Sequence, residues 1–366
     1  MVDRAEARSK SGECRLLFAF DIAHGIDLAG ASRAVRDPSH EGQLGRSHPA
    51  PSYFKFTPPP LRVHQRGEAL PIGRWKTSEA VEVVLFDFGA VLVSYTVALT
   101  GELEECVELS SALAADTTLA QAARERVEQL ARAIAAHLTR PGSSALLEDY
   151  SIFRFGGAAL QRDADAFLRQ HETQLAAILR AERQPLSREV VSDALSVRLQ
   201  YGPDDLSLVD WHAAVVFDDD PLDVVRVLEF ANVQLLEMRF LDAQLDDALE
   251  KAMAMVSRRD ARGVLGPLAL QRDLRRLSNL QLEAAFLFER LGNTLKISGD
   301  PFLARLLRQA SARYRLDEWN AAAQRKLSAL DNVYAKLHDH TASLRAEFLE
   351  LLIVLMIAFE IVMSLL

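Results

Sequence analysis

Leu206-Ser207-Leu208-Val209-Asp210-Trp211-His212-Ala213-Ala214-Val215-Val216-Phe217-Asp218-Asp219-Asp220-Pro221 is the stretch on which the division of the chain turns. Leu206–Phe217 is dense in apolar and β-branched side chains and reads as a strand. The residues after it read as a helix start. Asp220 is a natural N-cap, and Pro221 suits the first helical position, where a missing N–H leaves nothing unpaired. Beyond Pro221 every candidate element is a helix. Before Leu206 strands and helices mix.

Working back towards the N-terminus, Ser196–Tyr201 and Ser151–Phe155 read as strands and Asp163–Ala181 as a helix between them. Two helices are expected over Glu102–Asp116 and Leu119–Leu138, the second ended by Arg140-Pro141-Gly142. Val81–Asp87 and Ala90–Val97 are β-branched runs parted by Phe88-Gly89, as in adjacent strands or one bulged strand. Tyr53–Thr57 alternates aromatic and polar residues like a half-buried strand, and Pro58–Pro60 stop regular pairing. His40–Pro51 reads as a loop, Asp27–Arg36 as a helix and Arg15–Phe20 as a strand. Residues 1–13 are expected to be disordered.

Working forward, the helix from Pro221 carries Leu241, Leu245, Leu249, Ala252 and Val256 at helical spacing and ends near Ser257. Gly263–Pro267 is a turn. Leu270 to Leu295 line one face of the next helix, Gly299-Asp300-Pro301 starts a shorter one, and the last begins near Asp317. The fold class is therefore α+β. A mixed sheet-and-helix domain (14–217) is followed by a long-helix stalk (221–346) and a C-terminal segment (347–366).

That last segment is apolar on every face. From Leu351 to Leu366 the only ionisable side chain is Glu360. At ~1.5 Å per residue the run covers about 24 Å, or about 30 Å when extended back to Glu347, which is the hydrocarbon thickness of a bilayer. The expectation is a single transmembrane anchor built on Leu351, Leu352, Ile353, Leu355, Phe359, Glu360 and Ile361; a buried C-terminal helix is the competing reading. Upstream, Leu327, Leu330, Tyr334, Leu337, Thr341, Leu344, Phe348 and Leu351 recur at alternating steps of three and four, the pattern of a coiled coil or a tight helix hairpin. Leu327, Leu330, Tyr334, Leu337 and Leu344 are the candidate oligomer seam. Packing against the chain's own Leu270–Leu295 helix explains the pattern equally well. Stalk and anchor should form one continuous helix, with Glu360 making a contact between subunits.

The composition narrows the function. With 366 residues, 49% apolar and 25% charged, the chain can bury a sizeable core. Its formal charge of −9 excludes a general nucleic-acid or anionic-surface binder. Only residues 257–276 run against that, with Arg258, Arg259, Arg262, Arg272, Arg275 and Arg276 against Asp260 and Asp273. They read as a solvated helix junction or a contact with an anionic partner. Cys14 and Cys106 have no metal-ligand spacing and fit a reducing compartment. The polar, acid-bearing N-terminus has no signal peptide or presequence character.

Catalytic signals are lacking. No Gly-rich phosphate loop or dinucleotide fingerprint occurs, and Gly156-Gly157 alone is weak. His338 and His340 diverge on a helix, and His171-Glu172 lacks a second histidine. Asp218-Asp219-Asp220 is explained by helix capping before a cation. In Asp210-Trp211-His212, a hydrogen-bonded core histidine is preferred over a catalytic base. No metal, cofactor or catalytic residue is expected, and the protein reads as a non-enzyme.

Leu236-Glu237-Met238-Arg239-Phe240-Leu241-Asp242, Leu295–Leu303 with Gly299-Asp300, Leu349-Glu350-Leu351-Leu352-Ile353 and Phe359-Glu360-Ile361-Val362, with Phe86-Asp87-Phe88-Gly89-Ala90-Val91 earlier, resemble the "required for meiotic nuclear division" family over about residues 80–366. The resemblance implies one C-terminal membrane helix, assembly into a large homo-oligomer and no established catalytic residues. In mitochondrial members it implies support of translation near the inner membrane. The function expected is thus a self-associating scaffold, single-pass in a bacterial inner membrane with its N-terminal bulk cytoplasmic. Its expected partners are membrane lipid, further copies of itself and a protein or ribonucleoprotein, with no sequence-specific nucleic-acid binding. The alternative is an oligomeric channel or transporter-like protein whose pore is the C-terminal helix.

Overall fold

The computed structural model describes residues 12–35, 58–142, 145–262, Leu282 and 300–365. The chain divides into two units, one of residues 1–240 with 290–317 and one of 241–289 with 318–366. The expected boundary at 217–221 thus lies inside the first unit.

The first unit is built on an eight-stranded mixed sheet of order β10-β11-β12-β9-β1-β7-β6-β3. In chain order the strands are β1 (Gly12–Asp21), β2 (Ala23–Ile26), β3 (Leu61–Arg66), β4 (Pro71–Ile72), β5 (Trp75–Lys76), β6 (Ala80–Leu85), β7 (Ala90–Leu99), β8 (Leu138–Pro141), β9 (Glu148–Phe155), β10 (Arg198–Leu199), β11 (Leu206–Val209) and β12 (Ala213–Phe217). All pairings in the large sheet are antiparallel except β12 with β9. β2 with β8 and β4 with β5 form two small ribbons.

β1 lies inside the sheet, and its alternation sorts the two faces. Cys14, Leu16, Phe18 and Phe20 enter the main apolar core. That core is closed by α1 (Leu28–Val35), α2 (Leu103–Ala115), α3 (Thr118–Ala133) and α4 (Ala164–Arg180), through residues such as Ala31, Leu109, Val127 and Ile178. α4 starts as its sequence dictates, with the Asp163 side chain accepting from Ala166 N. α5 (Arg188–Ala194) is capped by Ser187.

The opposite face of β1 carries Glu13, Arg15, Leu17, Ala19 and Asp21. It meets the first half of α6 (Leu222–Arg262), where every residue from Val224 to Met238 is buried. α7 (Pro301–Arg313) also belongs to this unit. Asp300 caps it by accepting from Phe302 N at 2.8 Å and Leu303 N at 3.2 Å, as Gly299-Asp300-Pro301 led us to expect.

Several elements depart from the expectations. Leu206–Phe217 is not one strand but the hairpin β11–β12. Asp210 N donates to Ala213 O and the Asp210 side chain accepts from Trp211 N, closing a turn in the middle of the run. The helix expected to Leu138 stops at Ala133, because Leu138–Pro141 pairs with β2 after a short 3-10 turn, Ala135–His137. β2, β3, β4, β5, β8 and α5 were not foreseen. Tyr53–Thr57, His40–Pro51, Gly263–Pro267 and, apart from Leu282, the Leu270–Leu295 helix lie outside the described residues.

In the second unit, Leu241, Leu245 and Ala252 of α6 pack with Ala323, Leu330 and Tyr334 of α8 (Leu316–Leu365). Lys326 bridges Asp242 and Asp246 at 2.7 and 2.6 Å beside them. α8 is one helix from Leu316 to Leu365, but the transmembrane anchor is corrected. Among the described residues no helix is long and apolar enough to cross a membrane. Between Glu350 and Glu360 only nine residues run uncharged, ~14 Å of helix against a hydrocarbon core of ~30 Å.

Candidate functional site

The face of the sheet beneath α6 is polar at positions that sequence alternation sets out one at a time. Arg15 on β1, Arg62 and His64 on β3, Glu82 on β6 and Ser94 on β7 all point the same way, and register brings them together. Glu82 lies opposite both Ser94 and His64. Arg15 Nη2 reaches Glu82 and lies 3.4 Å from Ser94 Oγ, while Arg62 Nη1 is 3.3 Å from Glu82 Oε1 and His64 Nε2 3.7 Å. Glu229 of α6 completes the layer. Its Oε2 accepts from Arg62 Nη2 at 2.6 Å, and its Oε1 forms an ion pair with Arg15 Nη2 at 3.0 Å.

Glu229 is 1% exposed. Burial alone would push its carboxyl up, but the Arg62 and Arg15 guanidinia outweigh it and hold it below its ordinary value. Burial lowers Arg15 in turn, with Glu229 opposing. A buried pair of this kind adds little net stability against an apolar substitute, yet losing one partner strands the other charge. Its work is to set how α6 is rotated over the sheet.

Further along the same helix face sits a carboxyl pair. Asp21 at the end of β1 is hydrogen-bonded to Glu237 of α6, both almost fully buried. Burial lifts Asp21 to about 7 and Glu237 well above its ordinary value. The pair holds a proton that two free carboxylates would release. Glu148 of β9, opposite Ala19, is also lifted to about 7 by burial, against the pull of its partner Arg239.

A third cluster anchors α7. Asp210 is fully buried; it accepts a hydrogen bond from Arg313 Nε at 2.7 Å and forms an ion pair with Arg180, whose Nε lies 2.7 Å away. Both arginines also hold Asp193, whose carboxyl Arg313 draws down to about 2. Tyr150 Oη donates to Asp210 O at 3.0 Å, and its ring meets Tyr314 edge-on.

The residues singled out in the sequence fall as follows. Leu330 and Tyr334 of the seam are buried within the chain against α6, with Leu327 partly buried beside them. The side chains of Leu337, Leu344, Leu351, Leu352, Leu355, Phe359, Glu360 and Ile361, and of His338 and His340, lie outside the described residues. Ile353 is described and exposed. His212 is exposed rather than in the core, and it is Asp210 that is buried. Asp218 accepts from Asp220 N and Asp219 from Gly157 N, so these acids organise turns. His171 Nδ1 lies 2.9 Å from Gln174 Oε1. Among the described residues no three His, Cys, Asp or Glu side chains are grouped to hold a metal. Cys14 and Cys106 are both buried and free, their thiols pushed up by burial, Cys106 to about 12.

Sequence reading missed the Arg15–Arg62–Glu82–Glu229 layer and the Asp21–Glu237 pair. The signal was there: Arg226, Glu229 and Glu237 are the charges in a mostly apolar run on α6, where charges have to find partners.

The family described as "Uncharacterized protein MJ0711, N-terminal domain" matches residues 11–223, which span the whole eight-stranded sheet and stop at the start of α6. The chain is 23% identical over 243 residues to "Uncharacterized protein MJ0711" of Methanocaldococcus jannaschii, covering 66% of this chain and 73% of that protein. No solved structure matches the chain. The match neither supports nor opposes the resemblance to the "required for meiotic nuclear division" family.

Proposed function

The chain belongs to the MJ0711 N-terminal-domain family, and we propose that it is a non-catalytic, self-associating scaffold whose α/β unit engages a protein or ribonucleoprotein partner and whose α8 joins copies of the chain. The carrying observation is on α8. Ile353, Val354, Met356 and Ile357 are 52–64% exposed. At 100° per residue they lie within an arc of about 160°. An apolar face that broad on a soluble helix marks an interaction site. Ile353, Val354, Met356 and Ile357 carry no charge themselves, so their occupant is equally apolar, and a second copy of the same segment supplies that surface, with Glu350 exposed on the same arc at its border.

The upper part of the seam supports this division of labour. Leu330 and Tyr334 are already occupied within the chain, which leaves the C-terminal part of α8 for association. The absence of motif chemistry in the sequence is consistent with a scaffold. Cross-linking tests the reading. An Ile353→Cys variant under mild oxidation should give a disulfide-linked dimer on non-reducing gels, with Cys14 and Cys106 silent because they are buried. A monomer band alone, with the thiol freely alkylated, would sink it.

A further inference from the structure

Where β1 ends, the surface opens into a cavity of about 360 Å³, within the range of small-molecule clefts. Phe20 and Ile22 form its floor, Val127 and Ala131 of α3 one wall and Leu138 of β8 another. Phe20, Ile22 and Val127 are nearly fully buried members of the main core, so the interior is apolar and backed by rigid sheet. The mouth is charged. Arg124, Glu128 and Arg132 follow at four-residue steps along one face of α3 and all line the opening. The Arg124 guanidinium lies 5.2 Å from the Phe20 ring centroid and donates to Ala145 O at 3.2 Å, so it is held over the floor. Arg132 is exposed and, among the described residues, forms no salt bridge. Asp21 also borders the cavity, but its carboxyl is committed to Glu237.

We propose that this cleft binds a small amphipathic monoanion, with its apolar body against Phe20, Ile22, Val127, Ala131 and Leu138 and its acidic group at the Arg124–Arg132 mouth. Arg132 is the exposed guanidinium at that mouth, so its positive charge is the one open to a ligand's acidic group. A planar fork is the geometry that takes a carboxylate in two hydrogen bonds. A neutral ligand would leave Arg132 without that contact, and a dianion would meet Glu128. The cleft lies wholly within residues 11–223, the family-matched region, and the inference stands apart from self-association through α8.

The test uses the full chain and 8-anilinonaphthalene-1-sulfonate, an aromatic monoanion that fluoresces in apolar sites. Decanoate should displace it, and decanol should do so about tenfold less well. Ala131→Trp fills the cavity and should abolish the displaceable signal. Arg132→Gln, an exposed change that leaves the core intact, should weaken decanoate about tenfold and erase its advantage over decanol. Ile353→Asp should keep the signal, which separates the cleft from the apolar end of α8. The proposal is overturned if Ala131→Trp and Arg132→Gln, both folded by thermal melting, bind the dye and decanoate like the parent. Should Ala131→Trp fail to fold, Arg132→Gln decides alone: equal competition by decanoate and decanol in the parent, or an unchanged decanoate affinity in the variant, overturns it.

Discussion

Arg62 on β3 donates to Glu229 on α6 at 2.6 Å, from a strand at one edge of the eight-stranded sheet to the buried first half of the helix. Arg15 shares the same carboxylate from the interior strand β1. One glutamate thus pins two strands and the helix above them.

Glu229→Leu should therefore cost ~3–5 kcal/mol of unfolding free energy, because Arg15 and Arg62 stay buried without their counter-charge. Breaking the exposed Arg66–Glu79 pair by Arg66→Ala should cost no more than ~1 kcal/mol. Urea denaturation of both variants measures the difference. Equal losses would mean that the buried layer is no more demanding than a surface pair.

The Asp21–Glu237 pair makes a pH prediction. Asp21 and Glu148 are raised to about 7 in the folded chain, against ~4 for free carboxyls. Across that window the native state holds more protons than the unfolded chain, so stability falls as pH rises from ~4 to ~7. Asp193, drawn down to about 2, acts in the opposite sense at lower pH and does not interfere. The decline in Tm between pH 5 and 7.5 should be shallower in Asp21→Asn. A decline as steep in the variant would remove Asp21 as its source.

Gly89 occupies the β6–β7 turn with φ +108°, and a Cβ there would sit 1.6 Å from Ala23 O. Gly89→Ala should lose at least about 2 kcal/mol, since both the backbone conformation and the space refuse a side chain. Gly142→Ala, where nothing among the described residues lies within 4 Å, should stay within ~0.5 kcal/mol. Chemical denaturation compares the two, and a mild effect at Gly89 would show that the turn can relax.

Much of the fold was legible where local signals and tertiary demands agreed. Asp163 and Asp300 announced α4 and α7, and the β-branched runs either side of Phe88-Gly89 announced β6 and β7. The hairpin inside Leu206–Phe217 was hidden because its turn residues, Asp210-Trp211-His212, sit between two apolar runs without a glycine or proline to mark the break. β3 was hidden by its charges. Arg62, His64 and Arg66 alternate as a solvated edge strand would, yet Arg62 is used beneath α6. The apolar end of α8 misled for a related reason. Its composition resembles a membrane segment, yet among the described residues no helix is long and apolar enough to cross a membrane, and Glu350 and Glu360 bound an uncharged run of nine residues. The partners of buried charges lie far apart in sequence, Arg15 from Glu229 and Asp21 from Glu237, and periodicity carries no information about such pairings.

Self-association through α8 is tested most directly by the solution mass of the full chain, measured by light scattering in detergent-free buffer over a range of concentrations. The account predicts a multiple of 40.6 kDa for the parent and 40.6 kDa for an Ile353→Asp, Met356→Asp double variant with an unchanged melting profile. A parent chain at 40.6 kDa at every concentration, or a double variant that keeps the full assembly, would contradict it.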